Sequence, residues 1–60
     1  MVMTAERIVN TGLYEAAVEL MDGQIREEVH KDLAPCTEYE FLSEYMRRHE
    51  EKYGEPFVVN

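Results

Sequence analysis

Cys36 is the only cysteine in a chain of 60 residues, so the fold cannot rest on an internal disulfide bond. A chain of this length buries only about 60% of the surface that it exposes when unfolded, which makes its core marginal. The cysteine and the two histidines lack the spacing of a zinc site. With 45% hydrophobic and 32% charged residues, we expect one small globular domain over residues 1–60, supplemented by a partner chain.

The clearest helix signals lie between Pro35 and Pro56. Thr37 and Glu40 have the spacing of a capping box, in which each side chain accepts a backbone N–H of the other residue. Gly54 is well placed as the left-handed residue that ends a helix. These signals predict a helix over residues 38–53. Its apolar stripe comprises Phe41, Leu42, Tyr45, Met46, His49 and Tyr53.

Two further helices are predicted upstream. Apolar residues at helical spacing indicate a helix over residues 5–21, which Gly12 weakens by about 1 kcal/mol relative to alanine. Its apolar stripe comprises Ile8, Val9, Leu13, Ala16, Ala17, Leu20 and Met21. Asp22 and Gly23 form a turn signal, with Asp22 as the cap of a second helix over residues 23–33.

The predicted fold class is therefore all-α: a small three-helix bundle with a short extended C-terminal tail. In the tail, Phe57 and Val59 either fold back on the helices or extend to the surface of a partner. The alternative architecture follows if Gly23 does not break the first helix. It is a helical hairpin that dimerises into a four-helix bundle.

Thirteen acidic residues against six basic ones give a net charge of −7 and a pI near 4.6. This balance argues against direct binding to nucleic acid, since that affinity comes mainly from neutralised phosphates. It argues equally against binding to anionic membrane surfaces. No apolar run is long enough to span a bilayer, and no basic region precedes an apolar run at the N-terminus, so we expect no signal peptide. The free thiol suits the cytoplasm.

The acidic residues follow a pattern along the predicted helices. Glu15, Glu19 and Asp22 step by four and three, and no lysine or arginine lies between Arg7 and Arg26. Residues at this spacing have Cβ atoms about 5–6 Å apart, which is comparable to the phosphate repeat of a DNA strand. An acidic helix face can thus imitate a phosphate backbone. The competing interpretation is a solvated face that keeps a small protein soluble.

A second stretch without bases extends from Asp32 to Met46 and also contains several glutamates. Tyr39 lies off the apolar stripe of its helix and is the best candidate for an exposed aromatic contact. We therefore predict six partner-binding residues: Glu15, Glu19, Asp22, Tyr39, Glu40 and Glu44.

Two other constellations have simpler explanations. Glu27 and His30 are spaced to share a metal, and Glu44 is a conceivable third ligand, but bundle metal sites need a full ligand set. Cys36 precedes a helix N-terminus, where a thiol can become reactive. It also matches Phe41 as a hydrophobic staple, and this structural role is the favoured one. We predict no catalytic residue, no metal and no cofactor. A metal-binding bundle that uses Glu27 and His30 is the third hypothesis.

The stretch from Asp32 to Thr37, followed by Glu40-Phe41-Leu42 and Tyr45, resembles a pattern in short acidic proteins of bacterial plasmids, phages and conjugative elements. Such proteins are often inhibitors of host defence, including anti-CRISPR and anti-restriction proteins, some of which mimic nucleic acid. The resemblance implies an inhibitor encoded on a mobile element.

The predicted function is that of a non-enzymatic protein. It would present its acidic face to a protein with a basic surface, such as a nuclease or another nucleic-acid-binding protein, and block it. The alternative is a structural or regulatory homo-oligomer, such as a homodimer, whose apolar residues are buried between chains.

Overall fold

The computed structural model describes residues 3–59 and contains four α-helices within them. These are α1 (Ala5–Asn10), α2 (Tyr14–Leu20), α3 (Gly23–Leu33) and α4 (Glu38–Tyr53). No strand occurs in the described part of the chain, so the all-helical prediction is confirmed. Met1, Val2 and Asn60 lie outside the described residues, and the single domain over residues 1–60 stays a prediction.

The predicted helix over residues 5–21 is wrong in one respect, because Gly12 ends a helix instead of only weakening it. Its φ angle is +74°, in the left-handed region that favours glycine. The Gly12 N–H donates to the Val9 carbonyl at 3.2 Å, and the Leu13 N–H donates to the Ile8 carbonyl at 3.0 Å. These two bonds form a Schellman motif, which satisfies the last carbonyls of α1. The chain then turns and begins α2 at Tyr14.

The break at Asp22 is confirmed. The Asp22 carboxylate accepts the N–H groups of Gln24 at 2.9 Å and Ile25 at 3.3 Å, which caps α3. The long helix from which the hairpin architecture would follow is therefore not formed.

The bounds of α4 are confirmed at both ends. The Thr37 hydroxyl accepts the Glu40 N–H at 3.1 Å, and the Glu40 carboxylate reaches back to the Thr37 N–H, which completes the capping box. At the other end Gly54 has a φ of +73°.

One core joins the helices, with α4 packed against both α1 and α3. Phe57 and Val59 are buried within it, so the tail folds back on the helices. Leu20 and Tyr53, which helical spacing assigned to apolar stripes, remain 57% and 48% exposed. The buried residues are Ala5, Ile8, Ala17, Met21, Ile25, Val29, Phe41, Leu42, Tyr45, Phe57 and Val59.

Candidate partner-binding surface

Glu44 lies between two arginines of its own helix. Its carboxylate is 2.7 Å from Arg47 Nη2 and 2.6 Å from Arg48 Nε. Hydrogen bonds from Arg47 and Arg48 lower the pKa of Glu44 to about 2. Both guanidinium groups reach a further acid, since Arg47 pairs with Glu51 at 3.1 Å and Arg48 with Asp32 at 3.0 Å. The negative charge of Glu44 is therefore largely offset inside the protein.

Asp22 joins the start of α3 to the end of α4. Besides capping α3, its carboxylate accepts a hydrogen bond from the Tyr53 hydroxyl and lies 3.5 Å from Lys52 Nζ. The Tyr53 hydrogen bond is the main reason that the pKa of Asp22 is lowered to about 2. The Asp22 N–H donates to the Tyr45 hydroxyl at 2.7 Å. These contacts assign Asp22 a structural role and correct the prediction that it continues the helix face of Glu15 and Glu19.

The remaining charges divide unevenly between the helices. Four of the thirteen acids pair with three of the six bases, which leaves nine acids and three bases without an ion pair among residues 3–59. Two of those three bases lie on α3, and none lies on α2 or α4. The acids without an ion pair are Glu6, Glu15, Glu19, Glu27, Glu28, Glu38, Glu40, Glu50 and Glu55.

Glu15 and Glu19 are the clearest members of this group. Both are exposed on α2, a helix whose last turn contains no basic residue. Tyr39 is 49% exposed near the start of α4. Glu40 is also exposed, although its carboxylate is engaged in the capping box. The six predicted residues therefore lie on three separate elements: α2, the cap of α3, and α4. Glu15 and Glu19 are four residues apart on α2, and Glu40 and Glu44 have the same spacing on α4.

An open groove of about 1100 Å³ brings α2 near the start of α4. Tyr14 and Val18 line it from α2, and Glu38 and Phe41 line it from α4. Burial raises the pKa of Tyr14, and the nearby Glu38 carboxylate raises it further. Glu15 and Tyr39 are the chain neighbours of Tyr14 and Glu38, but neither of them lines this groove.

The weaker candidates of the sequence lie on the same groove. Glu27, His30 and Cys36 all contribute to its lining. Within residues 3–59, no three side chains of the metal-binding types converge on one point. Cys36 is half-buried and packs against the core, as a hydrophobic staple residue does.

Sequence reasoning missed a second, smaller hollow. The end of α2, His49 of α4 and the C-terminal tail form it, and Leu20, Pro56 and Val58 expose apolar surface there. The spacing of Leu20 suggested a buried residue, and only the return path of the tail reveals the patch.

Comparison with known protein families identifies the family of this chain. The model of the anti-CRISPR protein AcrIC5 family matches residues 8–57. The chain belongs to the AcrIC5 family of anti-CRISPR proteins. The predicted resemblance to defence inhibitors is thereby confirmed. No curated protein and no solved structure matches the chain.

Membership in this anti-CRISPR family indicates an inhibitor of a CRISPR system. Anti-CRISPR proteins are typically non-enzymatic and act on protein components of these systems. The match over residues 8–57 contains all six predicted partner-binding residues and the lining of the groove, whereas Val58 of the hollow lies one residue beyond it. Between residues 3 and 59, none of the helices combines the length and the hydropathy that crossing a bilayer requires.

Proposed function

We propose that this anti-CRISPR protein inhibits its target by docking an acidic surface into a basic, nucleic-acid-binding groove of a CRISPR protein. The observation that carries the proposal is the pair Glu15 and Glu19, which are exposed on α2 and have no ion pair among the described residues. Such carboxylates are available to basic side chains of a partner, because no internal cation competes for them.

The geometry of α2 supports mimicry of a phosphate backbone. Residues four apart on a helix have Cβ atoms about 5–6 Å apart, and a DNA strand also presents its charges at intervals of a few ångströms. Tyr39 adds an exposed aromatic side chain, a type that is enriched at protein interfaces. The contribution of Asp22 and Glu44 to binding is expected to be small, since both carboxylates already have cationic neighbours.

The partner in this proposal is a protein and not a nucleic acid. A net charge of −7 repels phosphates, while it accelerates association with a basic surface. The inhibitor would act in the cytoplasm, where its free thiol at Cys36 stays reduced.

The test begins with identification of the target. The protein is immobilised and exposed at low salt to lysate of bacteria that carry a CRISPR system, and a salt gradient elutes what it holds. The captured CRISPR protein or effector complex is purified, and its binding to target DNA is measured with increasing inhibitor. We expect competition that weakens steeply as the salt concentration rises, because the contacts are between exposed charges.

The decisive variant replaces Glu15 and Glu19 by glutamine, which keeps the size and the helix propensity of each side chain. A matched control replaces Glu28 and Glu51 by glutamine. These residues line a different surface beside Arg47 and Arg48, and the control removes the same total charge. The proposal requires that the first variant lose inhibition and its salt dependence while the control retains both. Equal inhibition by the two variants would refute it.

The homo-oligomeric alternative loses its main argument in this structure. It required more apolar surface than one small chain can bury. A single chain buries four of the five residues concerned to 8% exposure or less and half-buries the fifth, His49; the four are Phe41, Tyr45, Phe57 and Val59. Two copies would also bring two strongly negative surfaces together. Sedimentation of the protein at micromolar concentration tests this alternative, which requires a dimer.

A further inference from the structure

The hollow formed by the end of α2 and the C-terminal tail exposes apolar surface in a fixed arrangement. Leu20 is 57% exposed and Val58 is 41% exposed, and the exposed Pro56 belongs to the same lining. These three side chains, here called the apolar patch, are contributed by two segments that are far apart in sequence. Exposed apolar groups that are gathered at one place and rimmed by polar residues are typical of protein-binding sites.

The tail that forms half of the patch is held in place by its neighbours. Phe57 and Val59 are buried to 4% and 2% exposure, and in an extended segment the residue between them points the opposite way. The Phe57 ring packs edge-on against Tyr45, with ring centroids 4.9 Å apart. His49 Nδ1 lies 3.2 Å from the Glu55 carbonyl oxygen. Val58 is therefore presented outward on a fixed support, so little ordering is needed when a partner binds.

The charged side chains at the patch are acidic. Glu55 lines the hollow together with His49 of α4, and Glu19 directly precedes Leu20 on α2. No lysine or arginine contributes to this lining. The complementary surface on a partner is an apolar side chain or shallow apolar site surrounded by basic residues. A second copy of this chain does not provide such basic surroundings, because its own patch is bordered by the same acidic residues.

We infer that the apolar patch is the anchor with which this inhibitor docks on the same basic protein that its acidic surface engages. The inference rests on the proposed function and names a further part of its interface. Leu20 follows Glu19 immediately, so one docked helix end delivers both a charged and an apolar contact. Charged contacts speed association, whereas apolar contacts buried at the centre of an interface slow dissociation and are not screened by salt.

The test uses the purified CRISPR effector that the wild-type protein prevents from binding DNA. The variant Leu20→Gln with Val58→Thr removes apolar character while keeping helix propensity at the first position and β-branching at the second. In the wild-type complex the partner would bury the exposed part of Leu20, and loss of this apolar contact is expected to weaken binding of the variant about tenfold. This loss is expected to be the same at every salt concentration, so the slope of affinity against salt stays that of wild type.

Two comparisons make the outcome decisive. Thr11→Ser removes a methyl group from an exposed residue outside both the patch and the groove and is expected to bind as wild type does. The single variant Val58→Thr, which changes shape least, replaces the double variant if thermal melting shows that the latter does not fold. If the patch variants bind as tightly as Thr11→Ser, and inhibition is lost only in the Glu15 and Glu19 variant, the apolar patch is not an anchor and the proposed function stands.

The remaining outcomes also discriminate. Wild-type binding by the patch variant and by the acidic variant alike overturns both the anchor and the proposed function. A wild-type dimer that the patch variant converts to a monomer in sedimentation overturns the anchor as well, since the patch would then be covered by a second copy.

Discussion

The Tyr45 hydroxyl links α4 to the start of α3, and its removal tests the central packing of the molecule. The side chain is completely buried, and its oxygen accepts the Asp22 N–H at 2.7 Å. Replacement of Tyr45 by phenylalanine keeps the ring and its edge-on contact with Phe57. The variant therefore removes one hydrogen bond and leaves the backbone N–H at the cap of α3 without its partner.

The expected cost follows from the state of that N–H group. A typical internal hydrogen bond contributes about 1 kcal/mol, and a donor that is left unsatisfied in a partly buried place raises this to about 2 kcal/mol. In a domain of this size each kcal/mol lowers Tm by roughly 4–8 °C. We therefore expect Tyr45→Phe to lower Tm by roughly 4–16 °C with the helix content unchanged at low temperature.

Thermal and urea unfolding, followed by circular dichroism, measure this effect. The matched control is Tyr39→Phe, which removes the same atom from a side chain that is 49% exposed and whose hydroxyl makes no hydrogen bond within the described residues. Exposed substitutions of this kind change stability by less than about 0.5 kcal/mol. If Tyr45→Phe melts at the same temperature as Tyr39→Phe, the hydroxyl does not join the two helices and the reasoning is refuted.

Two further predictions concern the backbone and pH. Gly12→Ala forces alanine into a left-handed conformation, with no atom within 4 Å of the added Cβ, and is expected to destabilise the fold by about 1 kcal/mol. Gly23→Ala has the same free space around its Cβ but lies in a helix, so it is expected to stabilise the fold by up to about 1 kcal/mol. Urea midpoints of the two variants that move in the same direction would contradict this expectation. The folded-state pKa of about 2 for Asp22 and Glu44 lies below the ordinary values of 3.8 and 4.5, so the stabilisation that these carboxylates give is complete above the ordinary values and is lost as pH falls toward 2. Between pH 5 and pH 2 the urea midpoint should therefore decline less in Asp22→Asn and in Glu44→Gln than in wild type. Curves of urea midpoint against pH that run parallel in variant and wild type would exclude the depressed pKa values.

The parts of the fold that depend on local chemistry were predictable from sequence. The capping box at Thr37 and the left-handed Gly54 fix the two ends of α4 through contacts that span three or four residues. The cap at Asp22 is equally local. Gly12 was misjudged because its hydrophobic surroundings continue a helical pattern across it. A Schellman motif depends on the φ angle that glycine adopts, and periodicity carries no information about that angle.

The candidate surface was predictable only in part, for a similar reason. The pairing of Glu44 with Arg47 and Arg48 follows from spacings of three and four on one helix, so the sequence alone indicates that this carboxylate has cationic neighbours. The contact of Asp22 with Lys52 and Tyr53 spans thirty residues or more. No local sequence pattern predicts this contact, because the contact depends on how α3 and α4 pack against each other.

The internal ion pairs divide the acidic residues into two classes that respond to different perturbations. Glu44 and Asp22 share their charge with bases of α4, so their removal acts on folding, and most strongly where pH approaches their pKa. Glu15 and Glu19 have no such partners among the described residues, so under the proposed function we expect their removal to act on binding, and most strongly at low salt. If the acidic surface only kept the protein soluble, this division would leave no trace in inhibition assays. A Glu44→Gln variant that inhibits like wild type, beside a Glu15 and Glu19 variant that folds normally but does not inhibit, requires that the unpaired carboxylates bind the target.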